Sequence, residues 1–308
     1  MRILVVGAGA TGGYFGARLH EAGRDVTFLV RPRRAELLRE RGLRISGLGQ
    51  ETVVTPNLVT APDLAGHYDI VLLSVKATTL AQAIEDTAPA VGPRTAVVPF
   101  LNGMAHLDTL TKAYGSDVVL GGVVRVITTI GENGEILQLA PLADMTIGEP
   151  AGGVSDRVRR IEGVLSEAGF DFAVSPDIQT AMWHKWVFIS TLGALNTLVR
   201  GSVGEAVDAG AEHLGPQIAT EAAGIAEAAG HPMPAQALAN VAAFVSRPGS
   251  TDTASLYRDL VAGQPTEAEQ ILGDLTARAR AFGVSTPLLD VATASLRVHE
   301  QRVARGAV

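Results

Sequence analysis

The sequence predicts an α/β fold in which a doubly wound, largely parallel sheet is followed by an all-helical C-terminal domain. Three observations carry that expectation. Short β-branched runs alternate with helix-spaced segments through residue 174, a glycine-rich turn follows the first strand directly, and the chain becomes rich in alanine and helix formers after Ser175-Pro176. Its 308 residues suffice for two domains, and an apolar content of 47% can fill both cores. The expected domains are residues 1–175 and 176–308.

Residues 3–6 read as the first strand, and residues 10–22 as a helix ending before Gly23. Residues 25–30, 69–75 and 95–99 are further strands, with helical spacing over 80–88 between the last two. Residues 118–130 and 135–139 flank Asn133-Gly134, a hairpin signal. A strand over 145–148, a helix over 156–168 and a strand over 171–174 complete the alternation. Beyond them, Gly215-Pro216, His231-Pro232, Pro248-Gly249, residues 263–265 and Thr286-Pro287 break the chain into helices, with no strand expected.

The composition excludes several classes. A net charge of −7 is no basic footprint for nucleic acid. Zero cysteines rule out disulfides, thiolate nucleophiles and cysteine-held metals, and no HxH or HExxH spacing occurs among the seven histidines, so no metal is expected. The most apolar stretch, residues 186–195, is too short to span a bilayer. The opening segment runs straight into a strand, so a cytoplasmic protein without a leader is expected.

Gly7-Ala8-Gly9-Ala10-Thr11-Gly12 matches GxGxxG with a strand before it and a helix after it, the context that dinucleotide binding needs. Gly7 permits the tight turn, Gly9 lets the backbone approach a pyrophosphate, and Gly12 brings helix and sheet together, while the helix N-terminus offers N–H groups to the phosphates. After the second strand, where an acid would hold the ribose 2′-hydroxyl of NAD, the chain reads Leu29-Val30-Arg31-Pro32-Arg33-Arg34. An arginine there pairs with a 2′-phosphate, so NADPH is expected, with Arg31 as first contact; the alternative is an ordinary basic loop.

Basic charge is carried by 22 arginines and only three lysines. A lysine kept under that bias marks a place where a titratable ammonium is required. Lys112 sits blandly near a helix end. Lys76 closes the strand over 69–75, at the carboxyl edge where ligands bind in open α/β sheets. Lys185 lies in a long apolar helix between Trp183 and Trp186. Asn102, in Leu101-Asn102-Gly103, follows the strand over 95–99 and reaches the same edge. Ser255 and Asp259 share a helix face. Thr266-Glu267-Ala268-Glu269 reads as a capped helix start, with Glu267 in its first turn and Glu269 closing the box.

Taken in order, residues 3–16, Ser74-Val75-Lys76, Leu101-Asn102-Gly103, Met182-Trp183-His184-Lys185, residues 255–259 and Pro265-Thr266-Glu267 resemble the ketopantoate reductases (2-dehydropantoate 2-reductases of pantothenate biosynthesis) over nearly the whole chain. The resemblance implies a Rossmann-type NADPH domain, an all-helical domain and a small 2-oxo acid bound in the cleft between them. It places the catalytic lysine and glutamate on Lys185 and Glu267, the substrate serine on Ser255, and cofactor contacts on Arg31, Lys76 and Asn102, with Asn102 also in reach of substrate.

The family's two asparagines after the lysine are Ile189 and Gly193 here. Asn196, eleven residues after Lys185, returns to within roughly 20° of the same helix face and is the expected substitute. The expected reaction is hydride transfer from NADPH to a 2-oxo acid with the proton from Lys185, ahead of His184 and His106. The alternatives are a reductase of a more apolar 2-oxo acid and a non-catalytic NADPH-binding sensor. A homodimer is one assembly open to it.

Overall fold

The computed structural model describes residues 1–306, which form two compact units. The first comprises Met1–Leu101 and His106–Gln179; the second comprises Asn102–Ala105 and the chain from Thr180 onward. The short Asn102–Ala105 segment thus belongs with the helices, a grouping that no local sequence signal announces. Among the described residues no helix is long and apolar enough to cross a membrane.

The first unit opens with β1 (Arg2–Val6), α1 (Ala10–Glu21), β2 (Asp25–Leu29), α2 (Pro32–Arg41), β3 (Leu43–Gly47), β4 (Gln50–Val54) and β5 (Asn57–Val59). It continues with β6 (Ile70–Leu73), α3 (Leu80–Thr87), β7 (Ala96–Pro99), α4 (Ala105–Tyr114), β8 (Gly121–Ile130), β9 (Ile136–Gly148), α5 (Asp156–Leu165) and β10 (Asp171–Val174). One sheet is wholly parallel in the order β5-β2-β1-β6-β7. Its central strand is buried on both faces. Ile3 and Val5 join one core with Phe15, Leu19 and Phe28, while Leu4 and Val6 join the other with Leu73 and Leu110. That double burial is why β1 reads as a continuous apolar run.

The expected single sheet with an added hairpin is instead two sheets. The second is mixed, with β9 pairing β8 antiparallel and both β10 and β3 parallel, and β3 pairing β4 antiparallel. The separate strand expected over 145–148 is the end of one 13-residue strand, β9. Pro141 obscured this in the sequence. The β8–β9 register shifts between Val126 and Thr128, leaving Pro141 in the irregularity, where its missing N–H breaks no ladder bond. Further elements, the short strand β5 among them, escaped the pattern reading. The β3–β4 hairpin turns through Leu48 and Gly49, both at positive φ, without an Asn-Gly signature. The arginine-rich stretch after β2 forms helix α2, with Pro32 in its first turn.

The second unit contains α6 (Ile178–Val199), α7 (Val203–Asp208), α8 (Leu214–Ala228), α9 (Ala235–Phe244), α10 (Ser255–Val261), α11 (Asp274–Phe282) and α12 (Pro287–Ala304). No strand occurs in it among the described residues, as expected. A π-helical turn, Glu269–Gly273, leads into α11.

Candidate active site

In the first unit the chain leaves β2 on one side of β1 and returns through β6 on the other, so the carboxyl ends of these strands meet at the topological switch point where open α/β sheets bind ligands. Gly7 follows β1 with φ +94, and a Cβ there would lie 2.6 Å from the Ser74 carbonyl oxygen. A Cβ on Gly12 would lie 2.3 Å from the Gly7 oxygen, so strand and helix touch backbone to backbone. Gly9 differs, because nothing lies within 4 Å of where its Cβ would be. Gly13 N–H donates to the Gly9 carbonyl at 2.8 Å as the helix begins, which leaves the amides of Ala10, Thr11 and Gly12 ahead of the ladder. Closed walls at Gly7 and Gly12, open space at Gly9 and leading amides form a cradle that fits a pyrophosphate.

Arg31 is exposed and caps the N-terminus of α2, while Lys76 is exposed in the turn after β6. Arg34 does what the sequence did not announce. Its guanidinium donates to the Ala8 carbonyl at 3.1 Å and to the Gly134 carbonyl at 2.8 Å, tying the glycine turn to the β8–β9 hairpin. Burial lowers the Arg34 pKa from its ordinary value. Pro32 at the start of a helix was the signal that would have brought Arg34 onto that helix's first turn.

In the second unit the Asn102 segment, the lysine helix and the glutamate turn converge on the π-helical turn. A π-turn leaves carbonyls outside the ordinary ladder, and such turns are frequent at functional sites. Here the Ile271 carbonyl accepts the Trp186 indole N–H at 2.8 Å and the Ser190 hydroxyl at 3.3 Å, holding α6 one residue from Lys185. Gly103, next to Asn102, has φ +77, and a Cβ there would lie 2.4 Å from the Gln270 oxygen and 3.9 Å from Trp186 Cε2. Glu267 stands at the mouth of the same turn, its carbonyl accepting from Ile271 N–H at 3.0 Å. Lys185 and Glu267 are both half-buried.

The turn's start differs from the expected capping box. Thr266 Oγ1 accepts from Ala268 N–H, and Glu269 forms a two-bond pair with Arg297 at 2.6 and 2.8 Å instead of reaching back. Arg297 therefore holds the Glu269 carboxyl below its usual range. His184, the rival to Lys185, has Nε2 3.1 Å from the Pro232 carbonyl; a carbonyl only accepts, so that nitrogen is the donor.

Asn196 is a correction. It is completely buried, its Nδ2 donates to the Gly201 carbonyl at 2.8 Å, and its Oδ1 accepts from Ala254 N–H at 2.8 Å. Its amide is committed to clamping the start of α10, which leaves the expected role as a substrate contact without support. Ser255 begins that helix and is exposed. A Cβ on Gly193 would lie 3.0 Å from Leu256 Cδ2, so the missing second asparagine is where α6 and α10 pack together.

A parallel sheet with a dinucleotide cradle at its switch point, joined in one chain to helices that gather a lysine and a glutamate, defines a dinucleotide-dependent oxidoreductase. Family models described as "Ketopantoate reductase PanE/ApbA" and "Ketopantoate reductase PanE/ApbA C terminal" match residues 3–152 and 177–300. The chain belongs to the ketopantoate reductase family.

An uncharacterized oxidoreductase of Bacillus subtilis, YkpB, is 32% identical over 304 residues, covering 97% of this chain and 99% of the relative. The crystal structure of 2-dehydropantoate 2-reductase from Methylococcus capsulatus is similar at TM-score 0.86 and 29% identity, covering 99% of this chain and 98% of that one. A ternary structure of D-mandelate dehydrogenase with NADH and anilino(oxo)acetate shares the fold at TM-score 0.87 and 22% identity, covering 99% and 100% of the two chains.

Proposed function

We infer that this protein reduces 2-dehydropantoate, or a close 2-oxo acid, to the 2-hydroxy acid with NADPH. The observation that carries the reading is the convergence of Asn102-Gly103, Lys185-Trp186 and Glu267 on one π-turn. Residues 7–12 hold the cofactor's pyrophosphate, with Arg31 on the 2′-phosphate and Lys76 and Asn102 assigned to the ribose and nicotinamide end. When bound, the reduced nicotinamide supplies a hydride. Lys185 Nζ polarises the ketone oxygen and gives it a proton as the alkoxide develops, and solvent then reprotonates the amine. Glu267 orients the ammonium and the nascent hydroxyl, and Ser255 binds the carboxylate.

A second reading is favoured by Ile189 and by Gly193 against Leu256, which make this face of α6 apolar: the substrate is a 2-oxo acid lacking the 4-hydroxyl of 2-dehydropantoate. The deciding experiment follows NADPH consumption with a panel of 2-oxo acids, in the native protein and in Lys185→Ala. Turnover of 2-dehydropantoate that falls roughly 10²–10⁴-fold in the variant, with NADPH affinity kept, is the expected result. No turnover of any 2-oxo acid, or an unimpaired variant, overturns the reading. Lys185→Arg is also expected to fail, because a guanidinium does not give up its proton.

A further inference from the structure

A cavity of about 750 Å³ opens in the second unit where the end of α6, α10 and α12 meet. Its floor is apolar and buried at Leu260, and its rim carries Val261 and Val298, which are 62% and 46% exposed. Two arginines also line it, Arg200 just after α6 and Arg302 in the last turn of α12. Neither guanidinium takes part in an ion pair among the described residues. The Tyr257 hydroxyl donates to the Arg200 carbonyl at 2.5 Å, fixing the backbone that carries the first arginine. No acidic residue lines the cavity.

Both arginines stand at helix C-termini, whose dipoles are each worth roughly half a negative charge. Two full positive charges against two half charges leave a surplus of about one unit beside an apolar floor. The cavity is separate from the catalytic residues. Tyr257, Leu260 and Val261 lie on the face of α10 roughly half a turn away from Ser255 and Asp259, at about 100° per residue.

We propose that this cavity is a second ligand site, which takes a monoanion with an apolar body, a carboxylate on an aliphatic chain. The charge surplus selects one anionic head, and a volume within the usual range for small-molecule sites accommodates the chain. Nothing in the reductase reaction calls on Arg200 or Arg302, so this site stands or falls independently of the proposed substrate.

The test is calorimetric titration of the full-length protein with octanoate and with octanamide, its neutral counterpart. Octanoate is expected to bind saturably with one site, at least roughly tenfold more weakly in Arg200→Gln and Arg302→Gln, and equally well in Lys185→Ala. Octanamide is expected to bind weakly throughout. Thermal melting of each variant shows that it is folded. Absence of saturable binding overturns the proposal, as does equal affinity for the amide. Loss of binding in Lys185→Ala with retention in the arginine variants places octanoate in the reductase site and also overturns it. Sedimentation is the remaining arm: a dimer that Val298→Asp dissociates, with no octanoate bound by either form, makes this face a contact between copies and not a ligand site.

Discussion

Trp186 donates its indole N–H to the Ile271 carbonyl at 2.8 Å, so the helix carrying Lys185 is bonded to the π-turn that follows Glu267. The indole is 1% exposed, and water does not replace it. Trp186→Phe removes the donor and part of the ring volume while Ser190 still reaches the carbonyl. The expected cost is about 1–3 kcal/mol of stability, read from the urea midpoint.

The glycine turn separates folding from binding. Gly9→Ala meets no atom within 4 Å and is expected to melt with the native protein while its NADPH affinity falls at least roughly tenfold. Gly7→Ala needs φ +94 and drives a methyl into the Ser74 carbonyl, so it loses thermal stability outright. Melting curves beside cofactor titrations check both, and normal NADPH binding by Gly9→Ala would show that the pyrophosphate lies elsewhere.

Arg31 is exposed at the start of α2 and has an ordinary surface arginine's freedom to meet a phosphate. Arg31→Ala is expected to weaken NADPH binding roughly 10–100-fold and NADH binding hardly at all, by the usual worth of a charge-assisted hydrogen bond. Fluorescence titration with the two cofactors measures it. Equal losses would remove the basis for the 2′-phosphate assignment.

Substrate choice is expected to be lax at the 4-position. With Asn196 spent on Ala254 and Gly201, and Gly193 packed on Leu256, no side-chain amide of α6 replaces the two missing ones at their positions. A pocket without a hydroxyl partner discriminates weakly between analogues with and without the hydroxyl. The kcat/KM values for 2-dehydropantoate and 2-oxo-3,3-dimethylbutanoate are therefore expected to be comparable. Ile189→Asn, on a half-buried position, is the variant that sharpens the preference; Gly193→Asn collides with Leu256 and is the wrong choice. Strong discrimination by the native protein would contradict this.

Acid stability carries a signature at Glu149. Hydrogen bonds from Arg157 hold its carboxyl below the usual range, with Ser155 adding to the effect. A carboxyl lowered in the folded state stabilises above its unfolded pKa of about 4.3, and that contribution is lost as pH falls through the lower folded value. The stability gap between the native protein and Glu149→Gln is therefore expected to narrow between about pH 6 and about pH 3, measured by urea unfolding across that range. A constant gap would show that the ion pair adds nothing that titrates.

The parallel strands were legible because burial on both faces writes itself as unbroken β-branched runs, and the cradle because glycine is what those backbones tolerate. Other features were hidden for particular reasons. Leu48 adopts positive φ in a hairpin without the residues that advertise one, and a bulge absorbs Pro141 inside β9. Asn196 lies on the face that helix arithmetic assigned it, but periodicity carries no information about what covers that face three turns along. Gly103 looked like an ordinary turn because its reason, the Gln270 carbonyl, lies far away in sequence.

The π-turn at Glu269–Gly273 carries one residue more per turn than the helix it feeds. Its geometry is therefore written in chain length as much as in side-chain identity. Deleting a single residue inside it would let an ordinary α-helix form and would rotate everything before it by about 100° about the axis. Glu267 would swing off its bearing with its own codon untouched, and the carbonyl now gripping Trp186 would return to the ladder. A one-residue deletion here is thus a point mutation of Glu267 by other means.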